Sequence, residues 1–125
     1  MESMKAWIGK SIVAIGVIHC MFGSIVFRKT LAELSREGFW NTVNGQPQRE
    51  FAFWFIFFGV MAILLGLVID WCERKFHELP SFLGWSLLAL TVVFCTIMPI
   101  SGGWLLLIPS LGAIVRRKRA EVIKL

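Results

Sequence analysis

A chain of 125 residues with 57% hydrophobic side chains, eleven Phe and only 17% charged residues has too little polar surface to cover a soluble domain of its size. Its net charge is +5, but the charges gather at the termini and in two loops, and none falls between Leu79 and Val115. A membrane-spanning helix needs about 20 apolar residues, so that run alone is nearly two spans long. The composition excludes an ordinary soluble fold and predicts an integral membrane protein. Three cysteines without a C-x-x-C give neither a disulfide framework nor a zinc-finger spacing.

The first span is predicted over about residues 7–27. Lys5 and Lys10 precede it as they would a signal peptide, but the apolar stretch is too long and Arg28-Lys29 follows where a cleavage site would lie. Gly9, Gly16 and Gly23 recur every seven residues, with Ile12, His19 and Val26 between them. On a helix these make one narrow stripe of small residues interrupted by a single imidazole. Thr30-Leu-Ala-Glu33 fits a capping box, which predicts a short interfacial helix with Leu31 and Leu34 on one side and an end at Gly38. A polar loop follows, with a turn at Asn44-Gly45 and a stop at Pro47.

The second span is predicted over about 51–69, closed by Asp70, Glu73, Arg74 and Lys75. It repeats the small-residue heptad with Ala52, Gly59 and Gly66. Two antiparallel helices so patterned pack backbone to backbone, which is how helices associate where lipid removes the hydrophobic drive. Aligned from one end, Gly16 meets Ala62, and His19 lies opposite Gly59, whose missing side chain leaves room for the ring. The third span, about 81–98, follows Leu79-Pro80. A tight turn at Pro99–Gly103 leads to the fourth, about 102–115, which Arg116-Arg-Lys-Arg119 ends. The fold class is therefore all-α: one four-helix transmembrane bundle with a short interfacial helix between the first two spans.

Orientation follows from the basic residues. Lys5, Lys10, Arg74, Lys75, Arg116, Arg117, Lys118, Arg119 and Lys124 share one side, against Arg28, Lys29, Arg36 and Arg49 on the other. The positive-inside rule then places both termini in the cytoplasm of a multi-pass inner-membrane protein. Tryptophan agrees: Trp7, Trp71 and Trp85 fall at one level, and Trp40, Trp54 and Trp104 at the other, as two interfacial belts.

No dinucleotide, P-loop, zinc-protease or nucleophile-elbow motif occurs, so nothing names a reaction and autonomous catalysis is disfavoured. The basic C-terminal run, Arg116–Arg119, reads as a topology signal with affinity for anionic lipid, and nucleic acid is not expected as a partner. His19 lies about 18 Å from the cytoplasmic edge, past the midplane. Its plainer reading is a neutral ring hydrogen-bonded to a Thr hydroxyl or a backbone carbonyl, cementing helices. The functional reading is a binding site for a lipophilic molecule or partner in the outer half of the bundle, with His19 and Gly59 at its floor and Arg49, Glu50, Trp54 and Trp104 at its mouth. Arg49 would receive a carboxylate or phosphate there. The alternative is a redox subunit in which His19 ligates haem, or binds copper with Cys20, Cys95 and Met98 at similar depth. No cofactor is predicted outside that alternative. A homodimer or a membrane partner stays open.

Taken together, the Gly-spaced first span with its His, Arg49 with Ala52 to Phe55, Leu79-Pro80 with Gly84-Trp85, and Met98-Pro99-x-Ser-Gly-Gly-Trp-Leu105 resemble a family of small uncharacterised bacterial four-helix membrane proteins, similar in outline to the DoxX-like group. The resemblance implies the four-helix fold and a bacterial inner membrane and carries over no functional residue. DoxX-like proteins are associated with quinone-linked oxidoreductase complexes, which by analogy extends the redox alternative to a quinone-linked subunit.

Overall fold

The computed structural model describes residues 5–123, and for residues 117–120 it describes the backbone alone. The described chain is all-helical. Its α-helices are α1 (Ile8–Val26), α2 (Arg28–Glu37), α3 (Pro47–Phe76), α4 (Ser81–Ile97) and α5 (Leu107–Ile123), with a 3₁₀ turn at Gly102–Leu106 leading into α5. Two of them, α1 and α3, are long and apolar enough to cross a membrane; α4 is apolar but shorter, at 17 residues.

The glycine heptads bring α1 and α3 together along their whole shared length. A Cβ added at Gly16 would lie 2.9 Å from the Gly59 carbonyl oxygen, and one at Gly66 would lie 2.7 Å from the Val13 nitrogen and 2.8 Å from the Gly9 carbonyl oxygen. Backbone touches backbone there, so only glycine fits. Gly16 sits over Gly59 and Ile63, within one residue of the expected register.

The α4 and α5 helices form the other close pair, with Gly84 against Ala113 and Ile114. The two pairs meet where α5 packs on α1, and Trp7 lays its indole on Gly112. No Cα of α4 comes within 8 Å of α3, so the ring of long helices is open along one seam instead of closing into a four-helix bundle. At one end that seam is filled. Ile8, Ile12, Ile69 and Ala113 form the buried core, and Leu79, Leu83 and Leu87 pack against them.

Three expected boundaries differ. The second span, placed at about 51–69, is the middle of a helix running from Pro47 to Phe76. Pro47 at the first helical position suits an early start, and the charges from Asp70 to Lys75 that were read as the stop lie inside the last turns of the helix, which His77 ends in the left-handed conformation. The fourth span, placed at 102–115, is a 3₁₀ turn followed by a helix that continues through the basic run. Thr30 caps nothing: Phe27 donates to Gly23 and Leu31 donates to Phe27, so α1 runs into α2 with only a one-residue break and no new helix start is left to cap. The amphipathic α2 itself is present and buries Leu34.

Candidate functional site

One stripe of α1 records how packing changes along the molecule. Ile8, Ile12, Ile15, His19, Phe22 and Val26 follow one another at helical spacing on a single face. Ile8 and Ile12 are 0% and 2% exposed, Ile15 and His19 are half-buried, and Phe22 and Val26 are 59% and 53% exposed. His19 therefore stands where a sealed interior opens to the surface.

Its ring is held from α3. Nε2 lies 3.0 Å from the Phe55 carbonyl oxygen, and because a carbonyl only accepts, the ring nitrogen donates. The imidazole stacks on the Phe55 ring at 4.0 Å and meets the edge of Phe58 at 5.7 Å. Beside it the Cys20 thiol donates to the Ile56 carbonyl at 3.7 Å. Gly59 makes both contacts possible, since a Cβ there would lie 2.5 Å from Cys20 Sγ and 3.0 Å from His19 Cδ2. Phe22 and Phe27 add their rings around Phe55, and Phe51 closes the cluster toward the start of α3. His19, Gly59 and this phenylalanine wall are thus one constellation, and the backbone carbonyl is the partner expected for a His that joins helices.

The other expected residues are placed differently. Arg49 is turned inward and engaged, donating to both Glu37 carboxylate oxygens at 2.8 and 3.0 Å and to the Thr42 carbonyl at 3.1 Å, with Glu33 at 3.9 Å. These contacts satisfy the fork that was expected to receive an anionic ligand. They also hold α2 on the start of α3, and the Arg49 hydrogen bonds, with its charge second, keep the Glu37 carboxyl below the ordinary carboxylate range. Glu50 does not pair with Arg49 but accepts the Gly45 N–H at 2.8 Å, which fixes the turn before α3. Trp54 is exposed and packs on Phe53 and Phe57. Trp104, also exposed, donates to the Pro99 carbonyl from a turn whose backbone stays more than 8 Å from α3.

The metal set is not assembled. Among the described residues no three His, Cys, Asp or Glu side chains gather as ligands. Cys20 faces α3, Cys95 is buried on α4, whose backbone stays more than 8 Å from α1, and Met98 lies exposed just beyond the end of α4.

Sequence reasoning missed a second polar centre at the sealed end. Glu73 is fully enclosed and accepts from the N–H groups of Trp7, Ile8 and Gly9, at 3.4, 3.3 and 2.8 Å. It thereby caps α1 from another helix, satisfying orphan donors and answering the positive end of the helix dipole. Arg116 of α5 donates to the same carboxylate, and next to it the buried Asp70 pairs with Arg74. Arg116 is thus turned into the protein, while the side chains of Arg117, Lys118 and Arg119 lie outside the described residues. A signal was present: Glu73 is the next member of the heptad Ala52, Gly59, Gly66.

These features define an all-helical protein with two helices able to cross a membrane, polar clasps at both ends of its longest helix, and one imidazole between them. The chain belongs to a family of unknown function, DUF6463, whose model matches residues 3–120. No DoxX-like family is matched, so the part of the resemblance that stands is membership of an uncharacterised family. No curated protein and no solved structure matches the chain.

Proposed function

We propose that this protein is a multi-pass protein of the bacterial inner membrane, both termini cytoplasmic, that binds a lipophilic small molecule in the open outer half of its helices beside His19. The observation that carries the reading is the inversion of burial. Arg49, Asp70, Glu73, Thr91, Ser110 and Arg116 are buried, whereas large apolar side chains are exposed on every long helix. In the most apolar windows of α1 and α3 only 28% and 22% of residues are buried, opposite to the core helix of a soluble protein.

Lengths support the same reading. From Arg49 to Glu73 along α3 is about 36 Å at 1.5 Å per residue, slightly more than a hydrocarbon core of roughly 30 Å. The two clasps then flank the bilayer, and His19, opposite Gly59, sits somewhat outside the midplane. The apolar, aromatic-lined opening with one polar group at its threshold is the composition of a small-molecule site.

Two measurements test the reading. The protein should stay with the membrane after an alkaline carbonate wash, and a cysteine introduced by Asn44→Cys should react with an impermeant maleimide added outside spheroplasts. Native mass spectrometry from mild detergent should then show a discrete lipid-sized adduct that weakens in His19→Leu. Release by carbonate sinks the membrane assignment. An adduct-free spectrum together with full hydrogen-exchange protection of the outer half sinks the binding site.

A further inference from the structure

The geometry points to the chemical class of that ligand: an apolar molecule bearing a hydroxyl that donates a hydrogen bond to His19 Nδ1. The inference rests on the binding site proposed above and adds the polarity of its one specific contact.

The argument is one of tautomer. A neutral imidazole carries one N–H and one lone pair. The Phe55 carbonyl oxygen, 3.0 Å from Nε2, has no proton to give, so the N–H is on Nε2 and the lone pair is on Nδ1. Nothing among the described residues bonds Nδ1, and it is not among the sealed side-chain atoms left without a partner. It is therefore an acceptor open to the surface. Charged groups on these two helices do not compete for it, since the one in α1 is Lys10, nine residues or about 13 Å away along the helix, and α3 has none between Phe51 and Ile69. The neighbouring thiol is already used on the Ile56 carbonyl.

Around this acceptor the surfaces are rings and aliphatic chains. Phe55 stacks on the imidazole, Phe58 meets it edge-on, and Phe22 and Val26 continue the same face outward. In a medium without water a lone acceptor rewards a donor and gives nothing to a second acceptor. Ketones, ethers and carboxylates would leave Nδ1 facing another lone pair. A phenol or long-chain alcohol presents the complementary group, with its hydrocarbon on the aromatic wall.

The test uses the full chain with His77→Gln, which leaves His19 as its single histidine, in phosphatidylcholine nanodiscs with nitrogen-labelled histidine. The probes are para-nonylphenol and its methyl ether, which differ only in the hydroxyl hydrogen. Nitrogen NMR should first show a protonated Nε2 and an unprotonated Nδ1. Adding the phenol should move the Nδ1 resonance saturably, while the ether binds at least about tenfold more weakly, the worth of one buried hydrogen bond. His19→Phe should bring the two probes to equal affinity while keeping an apolar ring on the wall. A protonated Nδ1 in the free protein, or equal binding of both probes to the unsubstituted ring, overturns the hydroxyl assignment and leaves the lipophilic site standing. Failure of both probes to saturate overturns the site as well.

Discussion

The two ends of the α1/α3 pair use the same helices and the same glycine repeat, yet they are finished in opposite ways. At the Glu73 end, charge is enclosed: a carboxylate takes three backbone N–H groups and a guanidinium, with Ile8, Ile12, Ile69 and Ala113 packed beside it. At the Phe22 end Gly23 meets the Phe55 and Ile56 side chains where Gly9 meets backbone, the flanking side chains are exposed rings, and the ion pair at the rim joins Arg49 of α3 to Glu37 of α2. The contrast teaches that glycine contacts set the spacing of the pair, whereas the third and fourth long helices decide which part of it is covered. Arg116 and Leu83 reach across at one end. Of the remaining described elements, the 3₁₀ turn Gly102–Leu106 comes within 8 Å of α1 but not of α3.

That contrast is broken most severely at Glu73. Glu73→Ala strips the cap from α1 and leaves the Arg116 charge enclosed, and should cost about 3–5 kcal/mol in equilibrium unfolding in mixed micelles. Replacing both Glu73 and Arg116 with leucine should recover part of that loss, because an apolar pair of similar volume removes the enclosed charge. A recovery no better than the single substitution would mean that the helix cap, not the ion pair, carries the effect.

A smaller loss tests what both ends share. Gly66→Ala puts a Cβ 2.7 Å from the Val13 nitrogen and should cost roughly 1–3 kcal/mol by forcing the helices apart. Gly102→Ala, with nothing within 4 Å of the new atom, should change stability by less than about 0.5 kcal/mol. Equal effects of the two in the same assay would remove the close-contact account.

At the threshold, His19→Ala removes one interhelical hydrogen bond and one stacked ring pair. Its cost should be about 1 kcal/mol or less, the size of a single polar contact between closely packed apolar helices. A stability loss as large as that of Glu73→Ala would make His19 a structural lock.

The smallest effect is at the rim where α2 meets α3. Glu37 titrates below its ordinary value because Arg49 holds its charged form. A carboxyl whose folded value is depressed stabilises above its unfolded value of about 4.3 and loses that contribution as pH falls through the folded one. Acidifying below about pH 4 should therefore raise hydrogen exchange in α2 while leaving α1 and the middle of α3 protected. Loosening of the whole pair over the same range would show that the rim clasp bears on the core.

Much of this was legible in the sequence. The heptads at Gly9, Gly16 and Gly23 and at Ala52, Gly59 and Gly66 foretold the antiparallel pair and placed His19 over Gly59, because close backbone approach needs small residues and little else. The sealed end was not legible as such. Charges after an apolar run ordinarily mark a helix end, and Asp70 and Glu73 were read that way. Their burial depends on Arg116, 43 positions further on, and on the N-terminus of α1, and local pattern does not report a partner at that distance. The partners of Arg49 were hidden for the same reason, since Glu37 lies twelve residues earlier on another helix. The open seam between α3 and α4 had no sequence signature, because α4 is apolar all round.

The cap on α1 also has an order in time. α1 presents its N–H groups to a carboxylate that emerges more than sixty residues later, and that carboxylate meets its guanidinium only when α5 follows. Until then that carboxylate lacks its Arg116 partner. The cap of α1 and the arrival of α5 are thus chemically linked, and a product cut short before Arg116 would have a destabilised α1.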